Sequence, residues 1–119
     1  MIEKRKIGNL GEDLVANFLE NKSYKILTRN YNKPFGEIDI VAIKNHIISF
    51  VEVKARKSTK YGYPREAVNY YKQQRIIKAS QAFLIENNLT DFIITFDVAE
   101  VFTESGEINY IENAFWSKR

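Results

Sequence analysis

GEIDIVAIKNHIISFVEVKA, residues Gly36 to Ala55, divides at the polar triplet Lys44-Asn45-His46 into two runs rich in Ile and Val. Gly36 to Ile43 and Ile47 to Ala55 are therefore predicted as the strands of an antiparallel hairpin closed by that turn. Side chains alternate between faces along a strand, so Glu37 and Asp39 share a face, with Ile38, Ile40 and Ala42 on the other. By the same rule Glu52 and Lys54 share a face, opposite Val51, Val53 and Ala55. Setting Lys44 against Ile47 pairs Val41 with Phe50, Asp39 with Glu52 and Glu37 with Lys54. A register slipped by one residue would bury the acids among the valines, so the acids and the lysine are expected on one common face.

Directly opposed residues of a sheet have Cβ atoms about 4.5–5.5 Å apart. Carboxylates that close repel each other, and a hard divalent cation such as Mg2+ or Mn2+ would offset the repulsion. Asp39 and Glu52 are thus candidate metal ligands. Lys54 could then orient or deprotonate an attacking water, or stabilise charge on a phosphate. Together these parts match metal-assisted hydrolysis of a phosphodiester. Glu12 lies at the edge of an apolar helical stripe, where an acid is expected to find a partner or a metal. The pattern also fits a plainer arrangement, with Glu37 and Lys54 as a cross-strand ion pair and Asp39 and Glu52 on a solvated sheet face. The residues alone leave both open.

Outward from the hairpin, Ile7, Leu10, Leu14, Val15, Phe18 and Leu19 recur at helical spacing and predict a helix over Ile7 to Asn21. Tyr24 to Tyr31 reads as a strand. Pro64 suits the first turn of a helix, and Arg65 to Asn87 reads as a long one with Val68, Tyr71, Ile76, Ala79, Phe83 and Leu84 toward the core. Phe92 to Phe102 reads as a strand, and Glu107 to Ile111 as a short further one. The order αβββαβ(β) describes a mixed sheet flanked by helices, an α/β or α+β domain with one core.

The chain of 119 residues is expected to form a single domain, residues 1–119. It has no cysteine, which removes disulfides and thiolate metal sites from consideration and fits a reducing compartment. No apolar run reaches signal-peptide or membrane-span length, so a cytoplasmic protein without a membrane partner is expected. The net charge of +3 conceals two opposed blocks. Lys54 to Lys78 carries eight basic residues and one acid, whereas Ala79 to Ser117 carries seven acids and no Lys or Arg. One basic face suits a polyanion, and a solvated basic helix gives the same pattern.

The segments Gly36-Glu37-Ile38-Asp39-Ile40-Val41-Ala42 and Phe50-Val51-Glu52-Val53-Lys54-Ala55-Arg56 resemble the YraN family of small bacterial proteins. That family is grouped with the restriction-endonuclease-like nucleases, and the chain is also similar to archaeal Holliday-junction resolvases. The likeness takes in Gly8 with Gly11-Glu12, Arg29-Asn30-Tyr31, then Gly62, Pro64, Ala67, Val68 and Lys72, and finally Phe96-Asp97-Val98, or roughly Ile7 to Val101. The resemblance implies a restriction-endonuclease-like fold and a Mg2+- or Mn2+-dependent DNA endonuclease, acting at branched or damaged DNA. It implies Asp39, Glu52 and the Val53 carbonyl as metal ligands, Lys54 as catalytic lysine, Glu12 as a helix-borne acid and Glu37 beside the site. It places Arg56, Lys57, Lys60, Arg65, Lys72 and Arg75 against nucleic acid, and the resolvase likeness implies a homodimer. Two positions depart from the pattern: Ile38 stands where the superfamily often has proline, and Thr95 where the family often has arginine.

A non-catalytic nucleic-acid-binding module of the same fold is the principal alternative, and an adaptor with a basic face for an acidic protein is a third. His46 is expected as an exposed turn residue. Tyr61 and Tyr63 either stack on unpaired bases or pack on the hairpin. Tyr70 and Tyr71 are expected in the core or an interface, and Trp116 in the core or a dimer contact.

Overall fold

The computed structural model describes residues 4–57 and 68–116, with side chains from residue 9 onward. Its elements are α1 (Lys4–Asn21), β1 (Lys25–Lys33), β2 (Gly36–Lys44), β3 (Ile47–Arg56), α2 (Tyr70–Glu86), β4 (Ile93–Phe102) and β5 (Glu107–Phe115). The order is the one expected, with the last strand fully formed. The five strands lie in chain order in one sheet. All neighbours are antiparallel except β3 and β4, which run parallel because α2 carries the chain back between them. The result is a mixed α/β sheet with two helices. No described helix is long and apolar enough to cross a membrane.

Helices cover both faces, which explains why β3 and β4 are apolar on both sides. Under α2, Ile76, Ile77, Ala79 and Phe83 pack on Ile38, Val41, Ile48, Phe50, Phe96, Val98 and Phe115. Under α1, Val15, Ala16 and Leu19 pack on Ile40, Ala42, Val51, Ala99 and Val101. Gly36 admits α2 to the sheet edge: a Cβ there would lie 1.9 Å from the Arg75 carbonyl oxygen, so no side chain fits.

Three expectations are corrected. Helix α2 starts at Tyr70, where the Asn69 side chain accepts the Lys72 backbone N–H at 2.8 Å as its N-cap. Pro64 and Arg65 lie outside the described residues. With the cap at Asn69, the helix turns Tyr71 outward, and it is 71% exposed rather than buried. On α1, Leu10 is likewise exposed rather than part of the core.

The third correction concerns β2. Ile38 packs under α2, whereas Ile40 and Ala42 pack under α1, so the alternation breaks between Ile38 and Ile40. Strand β1 changes facing in the same row. Arg29 pairs with Ile40 and Tyr31 with Ile38, and between them Asn30 adopts a left-handed conformation, φ 54°. Arg29 and Asn30 both reach back to α1, and Tyr31 turns to meet Phe83 of α2 edge-on. Asp39 stands at this break.

Candidate active site

The hairpin register is the predicted one as far as it runs: Lys44 pairs with Ile47, Val41 with Phe50 and Ile40 with Val51. Described pairing stops there. The next contact between the strands is made by a side chain, with Val53 N–H donating to Asp39 Oδ2 at 2.8 Å. Asp39 thus replaces a backbone acceptor where β2 leaves β3. A strand residue directs its N–H and C=O to the same edge, so the Val53 carbonyl also points toward β2.

Glu52 follows Phe50 on the α2 face and is only 6% exposed. Its Oε2 is buried and accepts no hydrogen bond. Burial, the hydrogen bond with Asp39 and the Asp39 charge push the Glu52 pKa up to about 8, against the opposing charges of Lys72 and Lys54. A solvated sheet face is therefore ruled out for Glu52. The environment favours a proton on this carboxyl, or a cation in its place.

Glu37 does not pair with Lys54. Its carboxylate accepts from Arg75 Nη2 at 2.7 Å and Nε at 3.1 Å, and from Lys72 Nζ at 3.3 Å. The Arg75 hydrogen bonds lead the causes that hold its pKa below the usual carboxylate value. Lys72 Nζ also lies 3.6 Å from Glu52 Oε2. Burial works to lower the Lys72 pKa, but the charges of Glu52, Glu37 and Asp39 reverse this and raise it. Lys72 and Arg75, expected to face a phosphate backbone, are half-buried cations turned onto the acids of the sheet. Arg56 and Lys57 are exposed at the end of β3. Lys60 and Arg65, like Tyr61 and Tyr63, lie outside the described residues.

Lys54 follows Glu52 on the α2 face and makes no ion pair among the described residues. Parallel pairing sets it beside Glu100 of β4, which in turn pairs with Asn109 of β5. Glu100 was not singled out by the sequence reading. It is 2% exposed, accepts Asn109 Nδ2 at 2.7 Å through Oε1, and leaves Oε2 buried without a partner. The available signal was an acid between Ala99 and Val101 in an otherwise apolar strand. Asp97 is equally buried but serves β5, accepting Tyr110 O–H at 2.5 Å and the Asn113 N–H at 3.0 Å.

Glu12 finds a protein partner. Its Oε1 accepts Arg29 Nε at 2.9 Å and Asn30 Nδ2 at 3.1 Å, which ties α1 to β1. No three His, Cys, Asp or Glu residues among those described are close enough to hold a metal together. The pair available to a cation is Asp39 with Glu52, and their chemistry fits one: hard oxygen donors, one of them buried and unpartnered. His46 is exposed at the hairpin turn as expected, stacked on Phe92, and away from these acids. Trp116 is exposed.

A family model described as "Uncharacterised protein family UPF0102" matches residues 11–101, a span that includes Glu12, the hairpin, Lys72 and Glu100. A UPF0102 protein of Alkaliphilus oremlandii is 49% identical over 115 residues, covering 93% of this chain and 98% of the relative. One from Alkaliphilus metalliredigens is 45% identical over 112 residues with the same coverage. One from Caldanaerobacter subterraneus subsp. tengcongensis is 39% identical over 119 residues, covering 96% and 98%. Similarity at this level along nearly the whole length leaves no doubt of kinship: the chain belongs to the UPF0102 family.

Proposed function

We propose that this protein is a divalent-metal-dependent DNA endonuclease of the restriction-endonuclease-like type, acting on branched or damaged DNA. The observation that carries the reading is Glu52. A buried carboxyl with an oxygen that accepts no hydrogen bond, pressed against a second carboxyl and only partly offset by the Lys72 ammonium 3.6 Å away, is costly unless a proton or a further cation joins it. A phosphate-cleaving site has use for the cation.

Asp39, Glu52 and the Val53 carbonyl would hold Mg2+ or Mn2+. When bound, such an ion polarises a phosphate oxygen and acidifies water. The chain's own residues do the rest. The Val53 N–H fixes the Asp39 carboxylate. Lys54 follows Glu52 on the same face, where its ammonium can orient water or stabilise charge on the phosphate. Glu37 restrains Lys72 and Arg75 at the rim, and Arg56 and Lys57 meet the nucleic-acid backbone. Glu12 belongs to the site only by leaving Arg29.

A second reading, a nucleic-acid-binding module without catalysis, draws support from the absence of a third described acid beside Asp39 and Glu52. One experiment separates them. Labelled linear duplex, single strand, flap and four-way junction are incubated with Mg2+, Mn2+ or EDTA. The endonuclease reading predicts metal-dependent cutting that Asp39→Asn abolishes. Salt-sensitive binding with no cutting, unchanged in the variant, would establish the binding module instead.

A further inference from the structure

Four large aromatic side chains are exposed among the described residues: Phe35, Tyr70, Tyr71 and Trp116. Three of them belong to the two segments that meet where α2 packs on the start of β2. Tyr70 and Tyr71, 64% and 71% exposed, open the first turn of α2 immediately before Lys72. Phe35 directly precedes Gly36, the residue in closest contact with the Arg75 backbone. Two consecutive, largely exposed rings form a surface that a partner can cover.

Tyr71 is not loosely placed. The Arg75 guanidinium lies 6.0 Å from its ring centre, on one face. The same guanidinium is hydrogen-bonded to Glu37, which also holds Lys72. One side of the ring is thus backed by a cation fixed to the acidic site, and the other is open. An exposed ring backed by a guanidinium offers a face on which a flat aromatic base can stack.

Resting on the endonuclease reading above, we infer that Tyr71, with Tyr70 next to it in the first turn of α2, forms a stacking platform for unpaired nucleotides next to the scissile phosphate. The substrate class is then nucleic acid with a single-stranded segment. Bases inside a duplex hide their faces in the stack and cannot use such a platform, whereas unpaired bases can.

The test is binding in EDTA, where no metal-dependent cutting interferes. Fluorescence anisotropy compares a labelled thymidine oligonucleotide of about 16 nucleotides, within the span of known single-strand sites, with a blunt duplex of equal length. The wild-type chain is expected to prefer the single strand. Tyr70→Ala with Tyr71→Ala should weaken single-strand binding by about ten-fold or more, as loss of base stacking does elsewhere. The same double variant should leave duplex binding unchanged. Tyr71→Phe, which keeps the stacking face, should retain single-strand affinity. Equal affinity of wild type and double variant overturns the inference, as does a wild-type preference for duplex. A double variant that only converts a dimer into a monomer in sedimentation also overturns it, because a second copy is then the occupant. Cutting is scored separately. Metal-dependent cutting that ignores the tyrosines removes the platform and leaves the nuclease, while tyrosine-dependent binding without cutting does the reverse.

Discussion

Glu52 makes the metal-free protein sensitive to alkali in a range where most proteins are stable. Its pKa stands at about 8 in the folded chain against an ordinary value of 4.5. The folded state therefore holds this proton more tightly than the unfolded state does. The resulting stability is complete below about pH 4.5 and is lost progressively until the pH passes about 8. At about 1.4 kcal/mol per tenfold change in proton affinity, the loss between pH 5 and pH 8.5 is on the order of 4 kcal/mol, a sizeable part of the roughly 5–15 kcal/mol typical of a domain. The residue is almost fully buried, so solvent screens little of it. Urea unfolding followed by far-ultraviolet circular dichroism in EDTA, at pH 5 and pH 8.5, should show that loss in the wild-type chain. Glu52→Gln carries no titrating proton and should lose much less. Under the proposed function, millimolar Mn2+ at pH 8.5 should restore the wild type and not the variant. Equal pH dependence in wild type and Glu52→Gln would refute the assignment of the strain to this carboxyl.

Gly36→Ala should cost about 3 kcal/mol or more in urea unfolding, because its Cβ would meet the Arg75 carbonyl oxygen at 1.9 Å and α2 would have to move. Tyr110→Phe removes the hydroxyl that Asp97 accepts, leaving a buried carboxylate short of a donor, and should lower stability by about 1–3 kcal/mol by the same assay. Asp39→Asn keeps an oxygen for the Val53 N–H, so its unfolding midpoint should stay close to wild type, while the proposed function predicts that the same variant loses cutting. A large stability loss there would mean that its activity defect says nothing about catalysis.

The hairpin was legible in advance because its two apolar runs and its short polar turn, with Asn45 left-handed at φ 55°, leave one register that keeps acids and valines apart. The fate of Glu37 was not. Strand alternation predicts neighbours within a sheet, but the partners of Glu37 come from a helix more than thirty residues later in the chain. Ile38 was misplaced because β2 changes facing at Asp39, in the row of the left-handed Asn30 of β1, and periodicity within β2 carries no trace of that. The start of α2 was read too early: Pro64 is a sound local start signal, but Asn69 supplies the cap. Tyr71 then fell outside the core because the true frame of the helix is set by Ile76, Ala79 and Phe83. Glu100 could have been found by asking why an otherwise apolar strand tolerates a carboxylate, a question that alternation alone does not raise.

The two ends of the acidic row are balanced by different means. Helix α2 has no acid of its own in its first turn, so the positive end of its dipole meets carboxylates supplied by the sheet. Lys72 sits in that turn and reaches both Glu37 and Glu52. The fold thus contains an internal cation that lessens the repulsion between Asp39 and Glu52 without removing it, since Glu52 Oε2 still lacks a hydrogen bond at 3.6 Å from the ammonium. A bound divalent ion would draw on the same oxygen. Under the proposed function, Lys72 and the metal would compete for Glu52 in electrostatic terms, and metal uptake would release part of the hold on this ammonium. On that reading the released charge would lie next to Tyr71 in the chain, within reach of an incoming phosphate. On the far side, Lys54 lies beside Glu100, whose second oxygen is also unpartnered.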